Sequence, residues 1–170
     1  MKSDIYILET ERTKIRPLTP EDAEHFYMLN QDEEVLRYTG DDPFQNVEAA
    51  RAFLEQYDQY EKYGMGRMAV IEKETHEFLG WCGLKYSPET SEYDIGYRFY
   101  RKYWNRGYAT ETSKAFIDYG LNILKLDEIV GRAMTDNVAS VRVLQKTGMA
   151  FLKAFDFEGH HGVIYTIKRQ

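Results

Sequence analysis

Three stretches of period-two alternation follow one another with only short polar turns between them: "GRMAVIEK", "FLGWCGLKY" and "SEYDIGYRFY". Alternation of this kind makes each a strand, and strands joined by turns as short as "ETHE" and "SPET" pair antiparallel. In the third strand Tyr93, Ile95, Tyr97 and Phe99 share one face, while Asp94, Gly96 and Arg98 share the other. Any fold for this chain must therefore contain an antiparallel block in its middle.

The flanks add helices. "TKIRPL" reads as a strand, and "TPEDAEHFYMLN" opens a helix with Thr19 as cap and Pro20 in the first helical position. A short turn covers 33–38, and "YTGDDPF" breaks it. "VEAARAFLEQYDQYEKY" is one helical run with Ala50, Phe53, Leu54 and Tyr57 on one face. After the strand block come a helix over "ATETSKAFIDYGLNIL", a strand over "EIVGRAMT" and a helix over "NVASVRVLQKTG" that stops at Gly148. Strands "MAFLKAFDF" and "GVIYTIKR" close the chain around a polar "EGHH" turn. Both strand–helix–strand units need crossovers, for which parallel pairing is expected. The fold class is α/β: one domain over 1–170, with a mixed, twisted, mostly antiparallel sheet of six to seven strands and helices on both faces.

Composition narrows the function classes. The chain has 170 residues, 43% of them hydrophobic, enough for a sizeable core. No apolar run approaches the roughly 20 residues that cross a bilayer, and the N-terminal stretch lacks the apolar centre of a secretory signal. Cys82 is the only cysteine and lies in a strand pattern, so it reads as core; an intrachain disulfide or a cysteine metal site is excluded. The default location is cytoplasmic. A net charge of -6 disfavours nucleic acid and fits either cationic partners or plain solubility. His160 and His161 sit in a turn without acidic or cysteine partners at ligand spacing, so no metal is expected.

"YWNRGYATE" follows the third strand and opens a helix. Helix N-termini carry unpaired N–H groups and partial positive charge, and bind anions. Gly107 permits positive φ and close approach, and Arg101, Lys102 and Arg106 concentrate positive charge there. The loop has neither the G-K-[ST] of a P-loop nor G-x-G-x-x-G. Alone it is compatible with a pyrophosphate grip or with an ordinary loop. "TDNVASVRVLQKTGM" is compatible with simple capping by Asn137 and Ser140, or with a second ligand contact.

In this order and spacing, "TERTKIRPLTPEDA", "DIGYRFYRKYWNRGYATE" and "DNVASVRVLQKTGM" resemble the GNAT superfamily of acetyl-CoA-dependent N-acetyltransferases. The likeness is to the branch holding the ribosomal-protein N-terminal acetyltransferases. The resemblance implies that Ile95, Gly96, Tyr97, Arg98 and Phe99 border the pantetheine arm of coenzyme A. It also implies that the amides of Trp104, Asn105, Arg106, Gly107, Tyr108 and Ala109, with Thr110 beside them, hold the pyrophosphate. Asn137 would hydrogen-bond the pantetheine, and Ser140 and Lys146 belong to the same cofactor helix. Many relatives carry a tyrosine where this chain has Leu144, and that tyrosine protonates the departing thiolate; Ser140 resembles its substitute.

Asp94 matches the acidic residue that often precedes "IGY" in the family, and it is the candidate base, through water. Its other reading is an arginine partner. The implied reaction is direct attack of a neutral amine on acetyl-CoA. At pH 7.4 a lysine amine costs roughly 4 kcal/mol to deprotonate and an α-amine about 0.5 kcal/mol, so a weak base favours the latter. Acceptors are a protein N-terminus or a small amine, and Asp41 and Asp42 are either a cation contact or a solvated loop. Neither nucleic acid nor membrane is expected as a partner, and a homodimer is allowed. Two alternatives stay open: a catalytically silent acyl-CoA-binding module, suggested by Leu144, and a nucleotide-binding protein using the same loop.

Overall fold

In a computed structural model describing residues 5–170, strand β1 (Leu8–Glu9) turns into β2 (Thr13–Pro17). A 3-10 turn at Pro20–Asp22 leads into α1 (Ala23–Leu29), followed by α2 (Glu33–Leu36), α3 (Val47–Glu55) and α4 (Gln59–Tyr63). The antiparallel block is β3 (Arg67–Glu72), β4 (Phe78–Ser87) and β5 (Glu92–Phe99). Helix α5 (Tyr108–Asp118) runs on into a π turn at Tyr119–Ile123, and then come β6 (Glu128–Met134), α6 (Val138–Lys146), β7 (Ala150–Phe157) and β8 (His160–Lys168). No helix among the described residues is long and apolar enough to cross a membrane.

The sheet has eight strands in the order β1-β2-β3-β4-β5-β6-β8-β7. The count exceeds the expected six to seven, β1 being a two-residue strand with no periodicity to reveal it. Only the first crossover gives a parallel neighbour pair, β5 with β6. After α6, β7 lands one strand too far for direct pairing with β6, and β8 fills the gap antiparallel to both. His160 and His161 accordingly start β8 instead of lying in the turn.

The helical run over 47–63 divides at Gln56–Asp58. Tertiary hydrogen bonds hold the break: the Arg67 amide donates to the Tyr57 hydroxyl (2.8 Å), and the Tyr60 hydroxyl accepts from the Leu18 amide (2.9 Å) while donating to the Arg67 carbonyl. Each anchor ties a helix residue to a strand end, which outweighs continuous helical periodicity.

Helices cover both faces. On one, Ala23, Phe26, Ala50 and Leu54 of α1 and α3 pack against Ala69, Ile71 and Phe78. On the other, Phe116, Ile117 and Leu144 of α5 and α6 pack with Val70, Cys82, Leu84, Ile95 and Ile129. Cys82 is fully buried, which pushes its thiol pKa up to about 11 and leaves it an unreactive core group.

Gly83 marks a very tight backbone approach: a β-carbon there would lie 2.1 Å from the Gly66 carbonyl oxygen. Because backbone cannot yield as a side chain does, Gly83→Ala is expected to destabilise the fold by about 2 kcal/mol, read as a lower urea midpoint at unchanged slope.

Candidate active site

The sheet parts in its middle. Strand β5 keeps its ladder with β4 as far as Phe99, opposite Gly80, and β6 keeps its ladder with β8 as far as Met134. Between β5 and β6 there is one register pair among the described residues, Asp94 with Val130. Beyond it the strands separate, so the inner edge of β5 over Ile95–Phe99 has no ladder on the β6 side. The Phe99 carbonyl accepts a hydrogen bond from the Trp104 indole (2.9 Å). An unladdered edge inside a sheet is unusual, because buried backbone groups are almost always paired.

The strand edge leads directly into the basic loop. The Trp104 amide donates to the Arg101 carbonyl (3.0 Å), so this residue, expected to contribute an amide to a phosphate site, spends both its N–H groups inside the protein. The free amides start one residue later. Asn105 (φ 62°) and Gly107 (φ 82°) are left-handed, and among the described residues the amides of Asn105 through Thr110 meet no acceptor; pairing resumes where the Glu111 amide donates to the Gly107 carbonyl (2.9 Å). Left-handed residues alternating with ordinary ones curl successive N–H groups inward into a concave nest of the kind that suits anions, here at the positive end of α5. Gly107 adopts this conformation without the strain a β-carbon would bring.

A cation that sequence reasoning missed lies beside this nest. Arg12, in the β1–β2 turn, donates from Nε to Glu111 Oε1 (2.8 Å) and from its backbone amide to Glu111 Oε2 (3.1 Å), while Thr10 Oγ1 donates to Oε2 (2.6 Å). Its guanidinium lies 4.1 Å from the Tyr108 ring centroid, and Nη2 is 3.4 Å from where a Gly107 β-carbon would project. Neither Nη group has an acceptor among the described residues. Glu111, which helix-dipole stabilisation alone explains at the sequence level, is therefore the clamp that brings a remote arginine to the α5 amino end. Of the basic residues read from the loop itself, Arg101 is paired with Asp32 (3.0 Å), and Lys102 and Arg106 flank the Tyr103 ring.

Across the opening stands α6. Asn137 caps it, its Oδ1 accepting from the Ser140 amide (3.3 Å), and its side-chain N–H groups have no acceptor among the described residues. The Tyr97 hydroxyl on β5 donates to Ser140 Oγ (2.9 Å), joining the two sides of the opening. Burial pushes the Tyr97 phenol up to about 12. Leu144, 4% exposed, packs against Gly131 and Ile95 as a core side chain. Lys146 is exposed at the far end of α6, about 13 Å along the axis from Asn137, and is not brought to Ser140.

The opposite face of β5 carries paired charges. Arg67 donates to Asp94 Oδ1 (2.6 Å) and to the Asp94 and Gly83 carbonyls (3.1 and 2.6 Å); Gly96 leaves room for it, since a β-carbon there would lie 2.6 Å from Nη2. Arg98 turns away from the opening and donates to Asn30 Oδ1 (2.8 Å) and Asp41 Oδ2 (2.7 Å). Asp41 thus holds an internal cation, and Arg98 can border the opening only through its backbone. At the C-terminal end of β6 lies a groove of about 510 Å³ lined by Arg37, Tyr38, Asp136, Phe157, Glu158 and His161 among others.

Against known proteins, the family described as Acetyltransferase (GNAT) domain matches residues 12–150. The chain belongs to the GNAT acetyltransferase family. It is similar to the N-acetyltransferase p20 of Bacillus licheniformis, at 33% identity over 149 residues covering 84% of each chain. Among solved structures it resembles a GNAT acetyltransferase from Bacillus anthracis (TM-score 0.82, 27% identity, 96% of this chain and 98% of that one). It shares its fold with a ribosomal-protein-S5-alanine acetyltransferase from Vibrio fischeri (TM-score 0.81, 17% identity, 98% and 97% covered). The chain is an N-acetyltransferase by these likenesses, and its mixed, mostly antiparallel sheet is the GNAT arrangement.

The Glu111 clamp has a pH signature. Desolvation raises the Glu111 pKa, but hydrogen bonds from Thr10 and Arg12 outweigh it and hold the carboxyl below its usual value. A depressed carboxyl contributes stability above the unfolded pKa near 4.5 and loses it as pH falls through the folded value. Glu111→Gln is therefore expected to lower stability by about 1–2 kcal/mol at pH 7, with the difference shrinking toward pH 3.5, measured by denaturant unfolding at both values.

Proposed function

We propose that this GNAT enzyme transfers acetyl from acetyl-CoA to a primary amine by direct attack on the thioester. One observation carries the reading: an unladdered strand edge over Ile95–Phe99 runs straight into the free amides of Asn105–Thr110. A ligand matching that sequence of partners is an arm bearing amide groups that ends in a diphosphate, which is the chemistry of coenzyme A. The β5 edge would pair with the pantetheine as a neighbouring strand would, Asn137 would donate to it from its side-chain amide, and the nest would take the diphosphate. Arg12 adds a guanidinium whose free Nη groups suit phosphate oxygens.

Asp94 spends Oδ1 on Arg67 (2.6 Å). Oδ2 is left to hold a water toward the amine. A weak base suffices for an α-amine, a fraction of which is already neutral near pH 7.4, and serves a lysine side chain poorly. The acceptor proposed is thus an amine of lowered pKa, such as a protein N-terminus, with the groove beside Asp136 as its approach.

Thiol release from acetyl-CoA, scanned over peptides with free α-amines, free amino acids, polyamines and lysine side chains, is expected to show turnover greatest for α-amines. Absence of turnover with every amine, alongside intact CoA binding, would favour a silent acyl-CoA module instead.

Arg12→Ala is expected to weaken CoA binding about tenfold, corresponding to about 1.4 kcal/mol, and to leave binding of acetyl-pantetheine, which has no diphosphate, unchanged in calorimetric titration. Gly107→Ala should combine left-handed backbone strain of about 1–2 kcal/mol with loss of CoA affinity, whereas Gly64→Ala, equally left-handed but with open space around it, should show the strain alone.

A further inference from the structure

The leaving sulfur poses a problem that α6 does not solve by itself. Leu144 is packed in the core and has no proton to give. Ser140 has a hydroxyl, but an aliphatic alcohol is far less acidic than a thiol and cannot lose its proton unless another group replaces it in the same event. The structure provides that second group on the other side of the opening. Tyr97 projects from β5, on the same face as Ile95 and Phe99, and its hydroxyl donates to Ser140 Oγ at 2.9 Å. With the Tyr97 proton committed to Oγ, the Ser140 hydroxyl hydrogen is directed elsewhere. The bond runs from β5 to α6, beside the edge proposed for the pantetheine.

Resting on the acetyltransferase reading above, we propose that Tyr97 and Ser140 form a two-hydroxyl relay that delivers a proton to the departing CoA sulfur. Ser140 is the catalytic residue, and Tyr97 acts through it as positioning residue and proton reserve. The step balances as follows. The amine lone pair forms the new N–C bond, and the C–S bond breaks with its electron pair on sulfur. The Ser140 hydroxyl proton passes to sulfur, and the Tyr97 phenolic proton passes to Ser140 Oγ. The proton shed by the attacking nitrogen returns through solvent to the Tyr97 oxygen. A buried phenol with a pKa pushed up to about 12 remains protonated throughout the working range, so the reserve is loaded before each turnover.

Cys82, the register partner of Tyr97, is not an alternative donor. It is fully buried and lies 3.8 Å from Ser113 Oγ within the core.

The test compares Tyr97→Phe, Ser140→Ala and the double variant, with Ser140→Thr as the substitution that keeps a hydroxyl. For each, kcat and KM for acetyl-CoA are measured with the best acceptor, and Kd for CoA is measured calorimetrically, which also reports that the variant is folded. The expected result is a fall in kcat of about 100-fold for either single variant, within the range for lost proton transfer. KM and Kd should stay within about twofold, the double variant should be no slower than the worse single one, and Ser140→Thr should recover most of the rate. Three results overturn the relay: full kcat in Tyr97→Phe, a loss of CoA affinity that accounts for the slowing, or multiplicative losses in the double variant. Should wild type bind CoA and acetylate nothing, the acetyltransferase reading itself fails, an outcome separate from these.

Discussion

The separation of β5 from β6 after a single register pair is the constraint on which the rest of the molecule turns. A sheet that stays closed spends its backbone donors and acceptors on itself. This one leaves an edge unladdered in its interior, flanked by β1–β5 on one side and by β6, β8 and β7 on the other. What keeps the halves together is apolar burial beneath the opening. Phe116, Ile117 and Leu121 from α5 and the adjoining turn share one core with Leu84 and Ile95 of the first half and Ile129 and Ala133 of the second. Non-directional burial can hold two half-sheets at an angle that hydrogen-bonding ladders would not tolerate, which lets the fold stay rigid and open together.

Electrostatics follow the same division. The chain is acidic overall, yet three guanidinium groups around β5 and the head of α5 have different tasks. Arg67 and Arg98 are consumed on the α1/α3 side by Asp94, Asn30 and Asp41, where they brace β5 from behind. Arg12 is oriented by Glu111 through one edge of its guanidinium, which leaves the other edge beside the free amides at the head of α5. A carboxylate near the proposed phosphate site would ordinarily repel the ligand. Here Glu111 is neutralised by the contacts that aim Arg12, so its charge is spent on placement.

Much of this was legible in the sequence because it depends on local rules. Period-two alternation located β3, β4 and β5 and assigned Asp94 and Tyr97 to opposite faces of one strand. Gly107 before a helical pattern marked the left-handed helix start, and Asn137 marked the α6 cap. The errors arose where distant contacts overrode local preference. Helix 47–63 divides because Tyr57 and Tyr60 reach strand ends. Trp104, by contrast, loses its amide to a local 3-10 turn that no spacing rule announces.

By itself, then, the sequence determined the strand block, the glycine loop at the head of α5 and the family, since each is written in residues within a few turns of one another. Only the tertiary structure decided which groups meet: Arg12 with Glu111, Tyr97 with Ser140, Arg67 with Asp94, and β8 inserted between β6 and β7. The physical reason is that pairings between distant residues depend on how the sheet opens and how the helices pack beneath it. That angle is a property of the whole core, and no segment of the chain specifies it alone.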